Sequence, residues 1–270
     1  MNAVPFYKMT AGGNDFLLFD NRSGCVPGGA AWISAACRRG LGAGADGAIY
    51  VEYSRKAHFR MRYFNADGKE AEFCGNGLQC AARFALMKVI APRGMRIETA
   101  RGVRKAEVRE SDVSVELAAP REERLNLSLL LKGRGVTGNY VEAEVPHFVV
   151  FVEDLEACAV KELGRLIRSH PEFGPAGTNA TFVQVEDEHR LQLRTYERGV
   201  EAETLACGTG SAAAAWTAVR LGLCAFPTAC LTRGGGSFTI DSPSEGESLW
   251  LSGKARVVYA GELWDEIFDS

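Results

Sequence analysis

The sequence predicts a mixed α/β protein built from two related halves. The stretch Cys74-Gly75-Asn76-Gly77 is followed by an apolar run with helical character. A weaker copy, Cys207-Gly208-Thr209-Gly210, is followed by an alanine-rich run. Apolar segments of strand length alternate with segments of helix length along the chain of 270 residues. Two Cys-Gly-x-Gly helix starts in one chain therefore predict a diverged internal duplication with pseudo-twofold symmetry.

The composition and charge of the chain favour some classes of protein and argue against others. Hydrophobic residues make up 46% of the chain and charged residues 24%, which is typical of a globular protein long enough for two domains. A net charge of −3 without a basic block argues against nucleic acid as a partner. No apolar run approaches the length of a membrane span, and residues 1–8 lack the pattern of a secretion signal. We therefore expect a cytoplasmic protein without a membrane partner.

The first half begins with a predicted hairpin. Strands at 5–9 and 16–19 flank Gly12-Gly13-Asn14-Asp15, a strong turn signal. Turn formation alone could explain this motif; alternatively, the amide of Asn14 contacts a polar ligand. The further predicted elements of this half are a helix at 30–39, strands at 48–53 and 58–64, a helix at 78–90, and strands at 95–99, 103–109 and 113–117.

A polar connection at 120–138 is predicted to join the halves, with a domain boundary after residue 118. His147 precedes an apolar strand. A lone histidine in such a position more often has its ring hydrogen-bonded to backbone groups than a functional role. Glu197 and Arg198 form a paired acid and base upstream of Cys207. The predicted elements of this half are a segment at 137–144, a strand at 148–152, a helix at 155–169, strands at 180–186 and 190–196, a helix at 211–221, and strands within 231–251 and 255–263.

The two halves share an order of parts in which an asparagine turn precedes the cysteine motif. Asn14 is matched in this order by Asn179, which ends the turn at 174–179. Asn14 lies 60 positions before Cys74, whereas Asn179 lies only 28 positions before Cys207. This matching predicts that the first half carries an extra helix and extra strands.

The neighbouring residues in the sequence distinguish Cys74 and Cys207 from the other cysteines. The chain has eight cysteines and no Cys-x-x-Cys pair, so no structural zinc or other metal is expected. Cys74 and Cys207 precede helices, whose free N–H groups attract anions such as a carboxylate and favour a thiolate. Five others have apolar neighbours and are interpreted as packing residues: Cys37, Cys80, Cys158, Cys224 and Cys230.

Two such cysteines facing one ligand in a shared cleft would have a defined chemistry. One thiolate would remove a proton from a carbon next to a carboxylate, and the opposite thiol would deliver another, which inverts the stereocentre. N–H groups at the helix starts would stabilise the negative charge that develops on the carboxylate. Exclusion of water strengthens such interactions, so we expect the domains to close over the substrate.

The motifs together resemble those of diaminopimelate epimerase, in order and over nearly the whole chain. Each motif is weak alone, but the combination is highly specific. The residues that carry the resemblance lie at 9–16, 45–47, 64–68 with 74–77, 146–147, 177–179, 196–199 and 203–210.

The resemblance implies a pyridoxal-independent epimerase that interconverts LL- and meso-2,6-diaminopimelate, on the route to lysine and peptidoglycan, with no cofactor. It implies two similar domains, 1–118 and 119–261, each a strongly curved sheet around a central helix, with 262–270 packing back on the first. We expect an amino-acid substrate and a homodimer. The implied catalytic residues are Cys74, Cys207, His147 and Glu197, and the implied substrate-binding residues are Asn14, Asn65, Gly75, Asn76, Asn179, Glu197, Arg198, Gly208 and Thr209.

Other functions stay open at this point. Val145 stands where many members of the family have an asparagine, which motivates a related racemase acting on histidine or proline. Gln79 replaces a common arginine, and Val200-Glu201-Ala202 is one residue longer than the usual pattern. A non-catalytic two-lobed binding protein would not need two activated thiols. A redox sensor would use Cys74 and Cys207 as a disulfide switch.

Overall fold

The computed structural model describes residues 3–243 and 248–268, which divide into two compact units. The first unit is Met1–Val115 with Gly253–Ser270, and the second is Glu116–Ser252. The sequence predicts a boundary after residue 118 and a C-terminal return that begins at residue 262. Of that return, residues 269–270 lie outside the described residues. The predicted bounds of the epimerase domains stay a prediction.

The first unit is a mixed sheet with two helices inserted in its crossovers. β1 and β2 pair antiparallel, β2 and β3 parallel around α1, and β4 and β6 parallel around α2. Antiparallel pairs join β3 to β4, β4 to β5, β6 to β7 and β7 to β8. The elements are β1 (Ala3–Ala11), β2 (Asn14–Asp20), α1 (Ala30–Cys37), β3 (Gly47–Glu52), β4 (Phe59–Asn65), β5 (Glu70–Ala71), α2 (Gly75–Met87), β6 (Gly94–Thr99), β7 (Gly102–Arg109) and β8 (Asp112–Ala118).

The second unit repeats this arrangement. β10 and β11 pair antiparallel, β11 and β12 parallel around α3, and β13 and β15 parallel around α4. The elements are β9 (Arg121–Leu131), β10 (Arg134–Ala143), β11 (Val145–Phe151), α3 (Val160–Arg168), a 3-10 turn (Pro171–Phe173), β12 (Asn179–Asp187), β13 (Arg190–Glu197), β14 (Ala202–Thr204), α4 (Gly208–Arg220), β15 (Thr228–Thr232), β16 (Ser237–Asp241) and the start of β17 (Ser248–Trp264). From Gly253 onward β17 belongs to the first unit, where a 3-10 turn (Asp265–Phe268) follows it.

The predicted duplication is present, but its predicted register is wrong. β1 to β7 correspond one by one to β10 to β16, with α1 and α2 corresponding to α3 and α4. Asn14, the first residue of β2, therefore corresponds to Val145, the first residue of β11, and Asn179 corresponds to Gly47 at the start of β3. Among the elements described, the first half carries no extra helix. The prediction of one is wrong because it treats Asn14 and Asn179 as equivalent, although they lie on strands that do not correspond.

Each unit encloses its own central helix. α2 packs against β1, β2, β3, β4 and β7, and α4 against β10 to β13 with β15 and β16. Both helices are apolar on nearly every face, so they are stable only when covered by strands on most sides. The predicted mixed α/β class with two similar halves is confirmed.

Aromatic residues fill the core beneath α1. Phe19 packs edge-on against Trp32 and Tyr50, with ring centroids 5.4 Å apart in both pairs. Leu263, near the end of β17, is buried in the same cluster, and Ile267 packs against it. The last part of β17 also pairs antiparallel with β1. The C-terminal segment thus completes the core of the first unit.

Two predicted elements are wrong in the second unit. The polar connection expected at 120–138 is instead the hairpin of β9 and β10. Leu127, Leu129 and Leu131 face inward along β9, while the residues between them are exposed. Because only one face of the strand is buried, many of its residues are polar and the segment resembles a loop in sequence. α3 begins at Val160 rather than at 155, because Asp154 accepts hydrogen bonds from two following backbone N–H groups and holds a turn there.

Candidate active site

Cys74 is the N-cap residue of α2. Its backbone is extended (φ −148°, ψ 111°), and its Sγ accepts a hydrogen bond from the backbone N–H of Gly77 with 3.3 Å between nitrogen and sulfur. The sulfur takes the place that a serine or aspartate oxygen takes at most helix starts. The side chain is half-buried. Local helix geometry therefore fixes the position of this sulfur.

Cys207 repeats the arrangement at α4. Its backbone is again extended (φ −130°, ψ 110°), and the N–H of Gly210 donates to its Sγ at 3.3 Å. The side chain is 6% exposed, so Cys207 is more deeply buried than Cys74. Both helices begin three residues earlier than predicted, because the glycines that follow each cysteine are already helical.

The two helix starts share an electrostatic character. Neither helix has an acidic residue in its first turn, so no side chain there offsets the positive end of the helix dipole. The first N–H groups of a helix have no partner within it, and here they belong to Gly75, Asn76, Gly208 and Thr209. Such groups bind a carboxylate and favour a cysteine in its thiolate form.

The environment of the packing cysteines is different. Burial raises the pKa of Cys37 to about 12, and it raises the pKa of Cys80, Cys158, Cys224 and Cys230 as well. A thiol whose pKa is raised by burial is a poor nucleophile and a poor base at neutral pH. The predicted packing role of these five residues agrees with their surroundings.

A chain of side-chain amides extends from the start of α2. The Nδ2 of Asn76, a residue only 3% exposed, donates to the Oδ1 of Asn14 at 2.8 Å. The Nδ2 of Asn14 donates in turn to the Oδ2 of Asp46 at 3.0 Å. Asn14 and Asn76, both predicted as site residues, are thus brought together. Asp46, which belongs to the Ala45-Asp46-Gly47 motif, orients them and is not one of the predicted site residues.

Asp15 connects this chain to two cations. Lys8 Nζ lies 2.8 Å from Asp15 Oδ2, and Arg39 donates to both oxygens of Asp15 and to Asp46. Burial alone would raise the pKa of Asp15, but the hydrogen bonds and charges of Arg39 and Lys8 outweigh it and lower the pKa to about 2. The carboxylate is therefore ionised throughout the physiological range.

Replacement of Asp15 by Asn is expected to lower the free energy of unfolding at pH 7 by about 2 kcal/mol. The folded-state pKa of Asp15 lies below its unfolded value, so its stabilisation is present above about pH 4 and is lost as the pH falls through about 2. Urea unfolding at several pH values measures this: the difference between wild type and Asp15→Asn should shrink as the pH falls from 4. Glu107→Gln, which breaks only an exposed pair with Arg109, is the control and should change stability by less than about 0.5 kcal/mol.

His147 lies in a hydroxyl network next to Cys207. Its Nε2 is 3.0 Å from the Oγ1 of Thr209, and its Nδ1 is 3.1 Å from the Oγ1 of Thr181. The Oγ1 of Thr209 is 3.4 Å from the sulfur of Cys207. Complete burial, together with the charge of Arg198, lowers the pKa of His147 to about 3. The imidazole is therefore neutral at physiological pH and acts through hydrogen bonds rather than charge.

Asn179, Glu197 and Arg198 surround the same network. The backbone N–H of Arg198 donates to Asn179 Oδ1 at 2.7 Å, and Asn179 Nδ2 lies 3.4 Å from His147 Nε2. Glu197, the last residue of β13, accepts a short hydrogen bond from the hydroxyl of Thr204. Five predicted residues of the second unit are thus brought together: Cys207, Thr209, His147, Asn179 and Arg198.

Asn65 ends β4, and its side chain is exposed. It makes turn hydrogen bonds through its backbone with Gly68 and Lys69, and its side chain takes no part in the amide chain that joins Asn76, Asn14 and Asp46. A small depression beside Cys74 is lined by Tyr63, Glu72, Phe73, Leu78 and Thr99 among others. It gives the half-buried cysteine access to solvent.

Sequence motifs do not reveal the residues that orient the predicted site residues. Asp46 and Thr181 belong to this group, and so does Thr195, whose hydroxyl oxygen lies 3.4 Å from that of Thr181. Thr181 and Thr195 carry no motif and lie inside strands, so no sequence signal marks them.

Gln79, which departs from the common pattern, is fully buried and donates to the carbonyl oxygen of Val113. Within residues 3–243 and 248–268, no group of three or more His, Cys, Asp or Glu residues is arranged to hold a metal ion, and no helix is long and apolar enough to cross a membrane.

Comparison with known proteins gives a consistent result. A family model described as diaminopimelate epimerase matches residues 6–121 and 140–258. A diaminopimelate epimerase of Aquifex aeolicus (strain VF5) is 40% identical over 279 residues, covering 98% of this chain and 100% of the relative. A diaminopimelate epimerase of Archaeoglobus fulgidus is 37% identical over 275 residues, with 96% of both chains covered.

Solved structures share the fold at much lower identity. A phenazine biosynthesis protein of the PhzF family from Bacillus anthracis has a TM-score of 0.74 at 17% identity, covering 98% of this chain and 100% of that chain. A hydroxyproline epimerase from Agrobacterium vitis has a TM-score of 0.69 at 15% identity, covering 97% and 92%. These likenesses concern the fold alone.

Proposed function

The chain belongs to the diaminopimelate epimerase family and is an isomerase, and from that premise we propose that Cys74 and Cys207 act as a pair in inverting the α-carbon of 2,6-diaminopimelate. The substrate pair is LL- and meso-diaminopimelate, and the reaction proceeds without pyridoxal phosphate. The observation that carries the proposal is the matched geometry of the two cysteines, each an N-cap whose sulfur accepts the N–H of the third residue after it.

The reaction needs one base and one acid. The thiolate of one cysteine takes the α-proton, so a C–H bond breaks, an S–H bond forms, and the electron pair is delocalised into the carboxylate. The thiol of the other cysteine then gives its proton to the opposite face of the carbon. The product leaves an enzyme in which thiol and thiolate have exchanged places. No external acid, base or redox partner is consumed.

The α-proton of an amino acid is only weakly acidic, so charge stabilisation is the main requirement. The N–H groups of Gly75, Asn76, Gly208 and Thr209 are suited to hold the reacting carboxylate, because helix starts present free donors to an anion. His147 keeps the Thr209 hydroxyl in place without adding a charge. The roles of Asn14, Asn65, Asn179, Glu197 and Arg198 are to bind the polar groups of the substrate, with Glu197 also close to the proton transfers.

The direct test offers purified enzyme LL-diaminopimelate, L-histidine and L-proline in heavy water. We expect loss of optical purity and deuterium at the α-carbon with diaminopimelate alone. Turnover of histidine or proline instead would favour the alternative function, a related amino-acid racemase, which Val145 motivates. Absence of exchange with all three substrates, in a folded and reduced protein, would contradict the proposal.

The proposal includes a location, a metabolic role and an oligomeric state for the enzyme. We place it in the cytoplasm, on the route to lysine and to the peptidoglycan precursor, acting on a small amino acid and on no nucleic acid or membrane. A homodimer is part of the proposal, and sedimentation of the purified protein at several concentrations measures it.

A further inference from the structure

The loop that joins β13 to β14 carries Arg198 and is one residue longer than the pattern usual in the family. β13 ends at Glu197, β14 begins at Ala202, and these two residues pair across the hairpin. Two loop residues have positive φ, Gly199 at +88° and Glu201 at +58°. Glycine adopts this conformation at little cost, whereas a residue with a side chain is strained. The backbone at position 201 would therefore favour glycine, and yet the chain has a glutamate there.

The side chain of Glu201 folds back onto its own loop and reaches the end of α3. Its Oε1 accepts the backbone N–H of Gly199 at 3.0 Å and the Nε–H of Arg168 at 2.7 Å. The pKa of Glu201 is lowered, mainly by the N–H of Gly199, so the carboxylate is ionised at neutral pH. The carbonyl oxygen of Glu201 also accepts the hydroxyl of Tyr196 at 2.8 Å. One carboxylate oxygen thus ties this loop to the last residue of α3.

Three consecutive backbone groups around Arg198 are hydrogen-bonded. The carbonyl oxygen of Glu197 accepts the N–H of Glu201 at 2.8 Å. The N–H of Arg198 donates to Asn179 Oδ1 at 2.7 Å, and the N–H of Gly199 donates to the carboxylate of Glu201. Glu201 supplies two of these three partners. The direction in which the Arg198 side chain leaves the backbone therefore depends on Glu201.

The guanidinium groups of Arg168 and Arg198 share one carbonyl oxygen. The oxygen of Ala176 accepts a hydrogen bond from Arg168 Nη1 at 3.2 Å and from Arg198 Nη1 at 3.4 Å. Glu201 neutralises Arg168, whereas Arg198 is paired with no carboxylate in the part of the chain that the structure describes. The charge of Arg198 reaches the buried ring of His147. Of the two cations, Arg198 is therefore the one left to bind an anionic ligand.

We propose that Glu201 is a positioning residue that fixes Arg198 for a carboxylate of the substrate. It acts through the backbone of the loop and through Arg168, and its own side chain binds no substrate. A guanidinium held in place before binding loses less conformational freedom when the ligand arrives, so the affinity is higher. The inference rests on the proposed function in naming diaminopimelate as the source of the carboxylate.

Hydrogen-bond geometry rather than net charge is the basis of this effect. The side chains of Glu201 and Arg168 are 48% and 22% exposed, so the attraction between their charges is screened by solvent. A glutamine at position 201 keeps an oxygen that can accept from Gly199 and Arg168 but has no charge. A glycine there removes the side chain and fits the backbone conformation.

The first experiment compares the kinetics of Glu201→Gly with those of the wild type on LL-diaminopimelate. We expect KM to rise about tenfold and kcat to stay within about threefold, because a group that binds the substrate throughout the reaction affects KM rather than kcat. The fold should persist, since relief of backbone strain offsets part of the lost hydrogen bonding. A fall in kcat at unchanged KM would overturn the proposal.

Matched variants separate positioning from general loosening. Glu201→Gln should keep KM within about threefold of the wild-type value, and a Gln variant that behaves like the Gly variant would overturn the proposal. Glu156→Gln is the control, because it breaks an exposed pair with Arg233 in the same unit. It should change neither kinetic constant, and a rise in KM as large as that of Glu201→Gly would show that any lost surface pair has this effect.

Hydrogen exchange followed by NMR tests the positioning without a substrate. We expect the protection of the backbone amide of Arg198 to fall about tenfold in Glu201→Gly and to be retained in Glu201→Gln. Unchanged protection in the Gly variant would overturn the proposal. If the wild-type enzyme does not turn over diaminopimelate, the proposed function fails, whereas the protection of the Arg198 amide still decides whether Glu201 holds this residue.

Discussion

Replacement of either Cys74 or Cys207 by alanine is expected to slow epimerisation of diaminopimelate by about a thousand-fold. A positioned acid or base contributes roughly a hundred- to ten-thousand-fold, and each variant lacks one of the two in every turnover. The fold should persist, because the other hydrogen bonds of each helix start remain and an N-cap replaced by alanine costs about 1 kcal/mol.

Each single variant should retain a partial reaction that shows which group is missing. The remaining cysteine can still remove a proton and return one to the same face, so NMR in heavy water should detect deuterium entering one stereoisomer without inversion. Cys74→Ala and Cys207→Ala should exchange opposite stereoisomers. Cys25→Ala and Cys158→Ala, which alter an exposed and a packing cysteine, are the controls and should keep near wild-type rates. Full epimerisation in either active-site variant would end the two-base mechanism.

Replacement of Gly177 by alanine is expected to destabilise the protein by more than about 3 kcal/mol. Gly177 has φ +67°, where an L-residue is strained by about 1–2 kcal/mol, and its added Cβ would overlap the carbonyl oxygen of Arg168 at the end of α3. That oxygen also accepts the N–H of Thr178, so relief of the overlap would displace the chain just before Asn179. Affinity for the substrate should fall together with stability.

Gly222 provides a control with the same backbone conformation. It has φ +69° directly after α4, and an added Cβ would meet no atom within 4 Å. Gly222→Ala should therefore show only the conformational cost, about 1–2 kcal/mol. Urea unfolding of both variants measures the difference, which isolates the contact with Arg168. Equal losses of stability would show that backbone strain alone accounts for the glycine.

The secondary structure that could be predicted from the sequence is the part fixed by short-range patterns. The helices after Cys74 and Cys207 and the strands around Asn14 have apolar periodicity and glycine turns that mark them without any tertiary information. The hairpin of β9 and β10 cannot be predicted in this way, because the outward face of β9 is polar and the burial of Leu127 and its neighbours depends on a partner layer that the sequence does not display. The start of α3 differs from its predicted position because the turn held by Asp154 resembles a helix start in sequence.

Spacing along the chain is enough to place each sulfur at a helix start, since a cysteine N-cap and its N–H donor lie three residues apart and fold as a local unit. The surroundings of each sulfur depend instead on which strands pair. Asp46 beside Asn14, and Thr181 beside His147, are brought together by parallel strand pairing across crossovers of about thirty residues. Equivalence of Asn14 with Val145 likewise depends on strand order. A local capping bond can be read from spacing, whereas the partner of a buried strand residue is set by which strands pair.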